Sequence, residues 1–265
     1  MIAVETFPNA QEASAALRND AVYLAGGTIV MNAVNYGRLS GERIVRATDP
    51  ALARITRSGD RIEIGAAVTM AEVISSPDVA LLAPAARAVG GPAIRNMATV
   101  GGNLFAHHPY GDFAVALLAL DAKVQIAGGG EQELEAFLVG RDSFRGLVTG
   151  VTIAQPSGVD FRFRKVTRIK PKGVSIMSIA ACLNQSAGRL SSPRIAFGAM
   201  GTTPLRAKNV ERALEGVSLD AMSIKPALDA LRSDFQPPDD PIASGWYRSE
   251  VAPVHLRRLL LKEEG

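Results

Sequence analysis

Residues 99–112 read "TVGGNLFAHHPYGD", which packs two adjacent glycines, an asparagine, a histidine pair and an aspartate between apolar segments. The stretch follows "IRNMA" at 94–98 and runs into "FAVALLALDA" at 113–122, whose apolar period is helical. A glycine pair lets the backbone come close to a ligand, and amides pointing into such a turn bind anions. Any one Gly-Gly pair is also an ordinary tight turn, so Gly101-Gly102 gains weight from a second pair. Gly26-Gly27 stands in "LAGGT" at 24–28, where the short apolar strand "AVYL" ends. Two such sites suit a diphosphate. Neither has the G-x-G-x-x-G spacing or the loop ending in Gly-Lys-Ser/Thr, which excludes the two familiar nucleotide folds.

Asp112 opens the helical run. Its carboxylate is placed either to cap the helix or to accept hydrogen bonds from ribose hydroxyls, and the two roles are compatible. His107 and His108 do not make a metal site: adjacent residues rarely point at one ion, and the remaining histidine, His255, is far along the chain. No nucleophile stands with a base and an orienting group, so covalent hydrolytic chemistry is not indicated.

Working outward, the chain has 265 residues, 47% hydrophobic and 21% charged, which is ordinary globular usage and is long enough for one large domain or two modest ones. The net charge is +3 with basic residues scattered among acids, so no nucleic-acid partner is expected. Basic residues thicken at Arg162, Arg164, Lys165, Arg168, Lys170 and Lys172, either to line one anionic pocket or to solvate a strand and loop. The single cysteine, Cys182, excludes a disulfide framework and the thiolates of an iron–sulfur cluster. No apolar run reaches the roughly 18 residues of a spanning helix, and the start of the chain has no leader pattern, so a cytoplasmic protein without a membrane span is expected.

Local signals predict a mixed α+β order. Asn9 with Glu12, and Thr69 with Glu72, are capping pairs that begin helices. "DRIEIGAAV" and "KVQIA" read as strands, "VALLAPAARAVG" as a helix closed by Gly90, and "GGGEQE" as a turn. From about residue 160 the texture changes to three strands, "FRFRKVTRI", "VSIMSIAACLNQ" and "RLSSPRIAFGAM", followed by helices. One helix is expected to start with Thr203 as cap and Pro204 at its first position and to stop at Gly216, and "KPALDALRS" is another. The last, "SGWYRSEVAPVHLRRLLLKEE", is expected to bend or break at Pro253.

Taken together, "LAGGT" at 24–28, "IRNMATVGGN" at 94–103, "GD" at 111–112 and "ASGWYRSEVAPVHLRRLL" at 243–260 resemble one family nearly end to end, the FAD-binding medium subunit of the molybdenum hydroxylases. Its relatives include the flavin subunits of carbon monoxide dehydrogenase and xanthine dehydrogenase. The resemblance implies an α+β, two-subdomain FAD-binding fold of the vanillyl-alcohol oxidase / p-cresol methylhydroxylase type, followed by a C-terminal three-stranded sheet-and-helix domain. The corresponding division is 1–160, with subdomains of about 1–55 and 56–160, and 161–265.

By the same resemblance, Ala25, Gly26, Gly27, Thr28 and Ile29, with Thr99, Val100, Gly101, Gly102 and Asn103, wrap the FAD diphosphate and ribityl region mainly through backbone amides. Asp112 holds the adenosine ribose, Lys165 lies beside the flavin ring, and Val148 is an apolar contact. His108 is counted with the cofactor-binding residues. The implied function is an electron relay: a molybdopterin large subunit oxidises substrate, [2Fe-2S] centres in a small subunit conduct electrons, and FAD passes them to NAD+, oxygen or a quinone.

Several positions depart from the family pattern. Ile29 and Val30 follow the first site where relatives often have a polar residue, His107 and His108 stand where small residues are common, and Gly173 replaces a frequent acid. These departures define an alternative, a stand-alone FAD-dependent oxidoreductase with its own small substrate. A third possibility is a scaffold that has lost FAD.

Overall fold

The computed structural model describes residues 2–18, 20–155, 158–169 and 173–263. In chain order the first elements are β1 (Ala3–Phe7), α1 (Ala10–Ala16), β2 (Ala21–Tyr23), α2 (Val30–Asn35), β3 (Arg43–Ala47), β4 (Ile55–Ser58) and β5 (Arg61–Gly65). Next come α3 (Met70–Ser75), α4 (Ala83–Arg87), α5 (Pro92–Arg95), α6 (Val100–Leu104), α7 (Asp112–Ala119), β6 (Lys123–Ile126), β7 (Gly130–Glu133), α8 (Leu134–Gly140) and β8 (Val148–Ala154). The chain continues through β9 (Asp160–Thr167), β10 (Ser175–Ser186), β11 (Arg189–Gly198), β12 (Leu205–Arg206), α9 (Lys208–Leu214), α10 (Lys225–Ala230) and α11 (Gly245–Leu260).

Two compact units result: Met1–Ala106 with Ala122–Gln155, and His107–Asp121 with Pro156–Gly265. The sequence places the whole of 107–121 before a boundary near 160, whereas the fold groups it with the C-terminal unit. The cause is composition. Every residue of α7 is buried, and a helix that is apolar all round needs cover on more than one face. A β carbon on Gly198 of β11 would come within 2.8 Å of Val115 Cγ2, so a glycine is required where α7 and that strand meet.

The first unit holds two sheets. β1, β3 and β2 form a parallel sheet in that order, backed by Ala10, Ala13 and Leu17, which pack with Val45. β4, β5, β8, β6 and β7 form an antiparallel one. The capping pairs are local and form as expected: Glu12 N–H donates to Asn9 Oδ1 at 2.8 Å, and Thr69 and Glu72 make the full reciprocal box. The last four residues of "GGGEQE" are strand β7, because Gly128 and Gly129, both at positive φ, turn the chain back onto β6.

In the second unit β12, β11, β10 and β9 make a four-stranded antiparallel sheet, one strand more than expected. Met177, Ile179, Ala181 and Leu183 alternate along β10 into a core with Phe197, Val210, Leu214, Leu256 and Leu260. Leu205 and Arg206 pair with Phe197 and Ala196 instead of opening a helix at Thr203-Pro204. The helix starts at Lys208 with no side-chain cap of its own, and the distant Asp234 carboxylate accepts from the amides of Asn209 and Val210. Gly216, at φ +71, closes that turn as expected. α11 runs past Pro253 without the break that a proline there allows. Its start is capped by Ser244 and its end is held by Arg162, which donates to Leu259 O at 3.1 Å, so both ends are satisfied despite the missing amide.

Candidate functional site

The first unit brings the two glycine sites against each other. A β carbon on Gly26 would lie 1.6 Å from the Met97 carbonyl oxygen, and one on Gly102 would lie 3.6 Å from Ala25 Cβ. Residues 24–28 and 97–102 are thus in near backbone-to-backbone contact, which only glycine permits at position 26.

The two sites use their amides differently. At the second, Thr99 caps α6: the amides of Gly102 and Asn103 donate to Thr99 Oγ1 and Thr99 O at 3.1 and 3.0 Å. The amides of Val100 and Gly101 donate to Val68 O and Ala66 O at 2.9 and 2.8 Å. Every amide from Val100 to Asn103 is therefore engaged within the chain, and Val100 and Asn103 are buried. At the first site, Leu24 N–H donates to Val45 O and Met31 N–H to Gly27 O, yet among the described residues the amides of Ala25 to Ile29 have no acceptor. Gly27, at φ +75, bends this run, and successive free amides of that kind form an anion-binding nest. Thr28 is half-buried, Ile29 is exposed, and Val148 is buried as the first residue of β8.

Arg141 is a residue that sequence reasoning missed. It is buried, and Nη1 donates to Leu104 O at 3.0 Å and to Ala106 O at 3.2 Å, closing the C-terminal end of α6. Burial pulls its pKa down. A lone arginine after Gly140 carries no local signal of that contact.

In the second unit the Asp112 carboxylate does not cap its helix. Gly111, left-handed at φ 86, takes the cap position with no side-chain bond. The carboxylate is turned aside instead: Oδ1 accepts from Ser175 Oγ at 2.6 Å and Oδ2 pairs with Lys165 Nζ at 2.9 Å. A bulge in β10 explains the meeting. Pairing with β9 shifts between Ser175 and Met177, so Ser175 opposes Thr167 while Met177 opposes Val166. That one-residue slip puts Ser175 on the same face as Lys165, which opposes Ser178.

The basic run divides by strand parity. Arg162 and Arg164 point to the other face, where they donate to carbonyls at the end of α11: Leu259 O, Leu260 O and Glu263 O. Lys165 alone of these three faces Asp112. Arg168 is exposed, and Lys170 and Lys172 lie outside the described residues.

His108 is engaged too. Its Nε2 lies 2.9 Å from Asp240 Oδ2, and Arg248 Nη2 donates to the same oxygen at 2.7 Å. Arg248 is fully buried, and donates through Nε to Ile176 O and through Nη1 to Pro238 O and Ala243 O. Asp240 Oδ1 accepts from the amides of Ile242 and Ala243. Burial lowers the His108 pKa, and the Arg248 charge adds to this, against the opposing pull of Asp240 and Asp112. For Asp240 burial pushes upward, but the Ala243 and Ile242 amides and the Arg248 guanidinium outweigh it and hold the pKa below the usual carboxylate value. Among the described residues no group of three His, Cys, Asp or Glu could hold a metal ion, and no helix is long and apolar enough to cross a membrane.

Residues 1–154 match the family model described as the FAD binding domain in molybdopterin dehydrogenase, and residues 162–262 match the CO dehydrogenase flavoprotein C-terminal domain. The chain is 27% identical over 258 residues to the carbon monoxide dehydrogenase medium chain of Afipia carboxidovorans, covering 91% of this chain and 88% of that one. It is 27% identical over 262 residues to the xanthine dehydrogenase FAD-binding subunit of Escherichia coli O157:H7, with coverage of 91% and 86%. Among solved structures, a chain of the carbon monoxide dehydrogenase from Hydrogenophaga pseudoflava superposes with a TM-score of 0.89 at 24% identity, over 98% of this chain and 96% of that one.

Proposed function

Because the chain belongs to the family of the FAD binding domain in molybdopterin dehydrogenase, we propose that it is the FAD-carrying electron-transfer subunit of a heteromeric molybdopterin-dependent dehydrogenase. In this proposal it takes electrons from the [2Fe-2S] centres of a small subunit, beside a molybdopterin large subunit, and delivers them to an external acceptor such as NAD+, oxygen or a quinone. The observation that carries the cofactor assignment is the run of unengaged amides from Ala25 to Ile29, set directly against the second glycine site. Such a run fits a diphosphate.

The residues divide the work of binding. Amides of Ala25, Gly26, Gly27, Thr28 and Ile29 take the phosphate oxygens. Val100 to Asn103 have their amides engaged, so they serve as a close-packed wall: Gly101 lets it pack on Ala66, where a β carbon would come within 2.8 Å of Ala66 Cβ, and Gly102 keeps it clear beside Ala25. Asp112 retains lone pairs for a ribose hydroxyl beside its bonds to Ser175 and Lys165. Lys165, whose charge is balanced by Asp112, would stand beside the flavin ring. When bound, FAD exchanges single electrons with iron–sulfur centres and delivers pairs to an acceptor.

Purification of the chain with a tag from its native host tests the assembly. The expected result is a complex holding FAD, iron and molybdenum with a large and a small partner. Recovery of the chain alone, yellow and turning over a substrate unaided, would establish the stand-alone oxidoreductase instead.

A further inference from the structure

We propose that Arg248 is a positioning residue for the Asp112–Lys165 pair. It acts through Asp240 and His108 on the segment that carries Asp112, and through the Ile176 carbonyl on the bulge that carries Ser175. The proposal rests on the reading that Asp112 and Lys165 serve the cofactor.

Arg248 is 0% exposed, and a guanidinium is a planar fork whose donors stand at fixed angles. Whatever it binds is therefore held in one relative geometry. One of its acceptors lies next to a residue that touches Asp112, and another lies against His108, which precedes Asp112 on the same loop. Ile176, whose carbonyl takes Nε–H at 2.9 Å, follows Ser175, whose hydroxyl donates to Asp112 Oδ1 at 2.6 Å. Asp240, whose Oδ2 takes Nη2–H at 2.7 Å, also meets His108 Nε2 at 2.9 Å. Pro109, Tyr110 and Gly111 alone separate His108 from Asp112.

The arginine already donates to Asp240 and to the Pro238 and Ala243 carbonyls, contacts that anchor the start of α11 without any help from Ile176 or His108. The two further links have a different consequence: they tie the segments on either side of the Asp112 carboxylate to one rigid group. The Asp240 carboxylate only accepts, so His108 donates its Nε2–H to it, with Arg248 Nη2 3.3 Å from the same ring nitrogen, and Asp240 is itself fixed by the Ile242 and Ala243 amides. The clamp closes the loop just ahead of Asp112 and sets the direction in which its carboxylate leaves α7.

Arg248→Met is expected to unfold the second unit, so the test is made at the edge of the clamp. Gln places an N–H donor at the position of the imidazole Nε2, and Leu places none. In the full chain, His108→Leu is expected to speed amide hydrogen exchange over 107–112 and to weaken FAD binding about tenfold. His108→Gln is expected to restore both to within about twofold of wild type. A Leu variant that matches wild type in both readouts, or a Gln variant as impaired as Leu, overturns the proposal. Failure of the wild-type chain itself to take up FAD overturns the underlying cofactor reading, whereas the exchange comparison in the FAD-free chain still decides the clamp.

Discussion

Lys165→Ala leaves the Asp112 carboxylate buried at the start of α7 without its 2.9 Å counter-charge. Breaking a buried pair from one side costs several kcal/mol, and because the Lys165 side chain is 18% exposed the expected loss is about 2–3 kcal/mol. Asp112→Asn with Lys165→Met together should cost much less than the sum of the single changes, as read by urea unfolding in a double-mutant cycle; additive losses would show that the pair is not coupled. Gly26→Ala is the second prediction at this scale. Its β carbon would overlap the Met97 carbonyl, so a loss of about 3 kcal/mol or more and of FAD retention is expected, whereas Gly102→Ala, 3.0 Å from Thr99 Oγ1, should cost about 1 kcal/mol. The importance of Gly26 was legible as one half of a glycine pair. Its reason was not, because the backbone it approaches lies some seventy residues away in the chain. Asp112 was likewise legible as a polar residue at a helix start, but its partner Ser175 reaches it only through a bulge, and a one-residue slip leaves no mark in a single strand's composition.

At the scale of elements, the helix starts that agree with expectation are closed by residues within three positions: Asn9 with Glu12, and Thr69 with Glu72. The disagreements are long-range. Thr203-Pro204 is a sound local start signal, yet pairing of Leu205 and Arg206 with β11 overrides it and leaves α9 to be capped by Asp234. Asp234→Ala should therefore destabilise the second unit by about 1–2 kcal/mol, read from thermal unfolding. Pro253 sits inside α11 because satisfied ends and a buried face outweigh one missing amide. For α6, which carries the second glycine site, Arg141→Met removes both donors to the Leu104 and Ala106 carbonyls. A loss of about 1–3 kcal/mol with faster hydrogen exchange in Val100–Leu104 is expected; unchanged protection there would mean the helix does not depend on that arginine.

For the whole molecule, the α+β order and the sheet-rich C-terminal half follow from hydrophobic period. The placement of His107–Asp121 with the second unit does not, since a helix apolar on every side does not say which surfaces cover it. That placement brings His108 beside Asp240, Arg248 and Asp112, and it gives stability a pH dependence. With the His108 pKa lowered on folding, the unfolded chain binds the proton first as pH falls. The contribution is therefore intact above the ordinary histidine value of about 6.5 and is lost as pH drops from there through the folded value. Asp240, also lowered, adds stability above the ordinary carboxyl value of about 3.9 that disappears at lower pH. Unfolding at about pH 7.5 and about pH 5.5 should show wild type losing stability over that interval and His108→Gln losing less; equal losses would place the titration elsewhere.

In the proposed function, FAD is held by the amides of Ala25 to Ile29, packed against the second glycine site. Titration of FAD into the flavin-free full chain, followed by flavin fluorescence for wild type and Gly26→Ala, tests it most directly. Saturable binding of one FAD per wild-type chain and its loss in the variant are expected. Binding of equal strength in both, or none in the wild type, would contradict it.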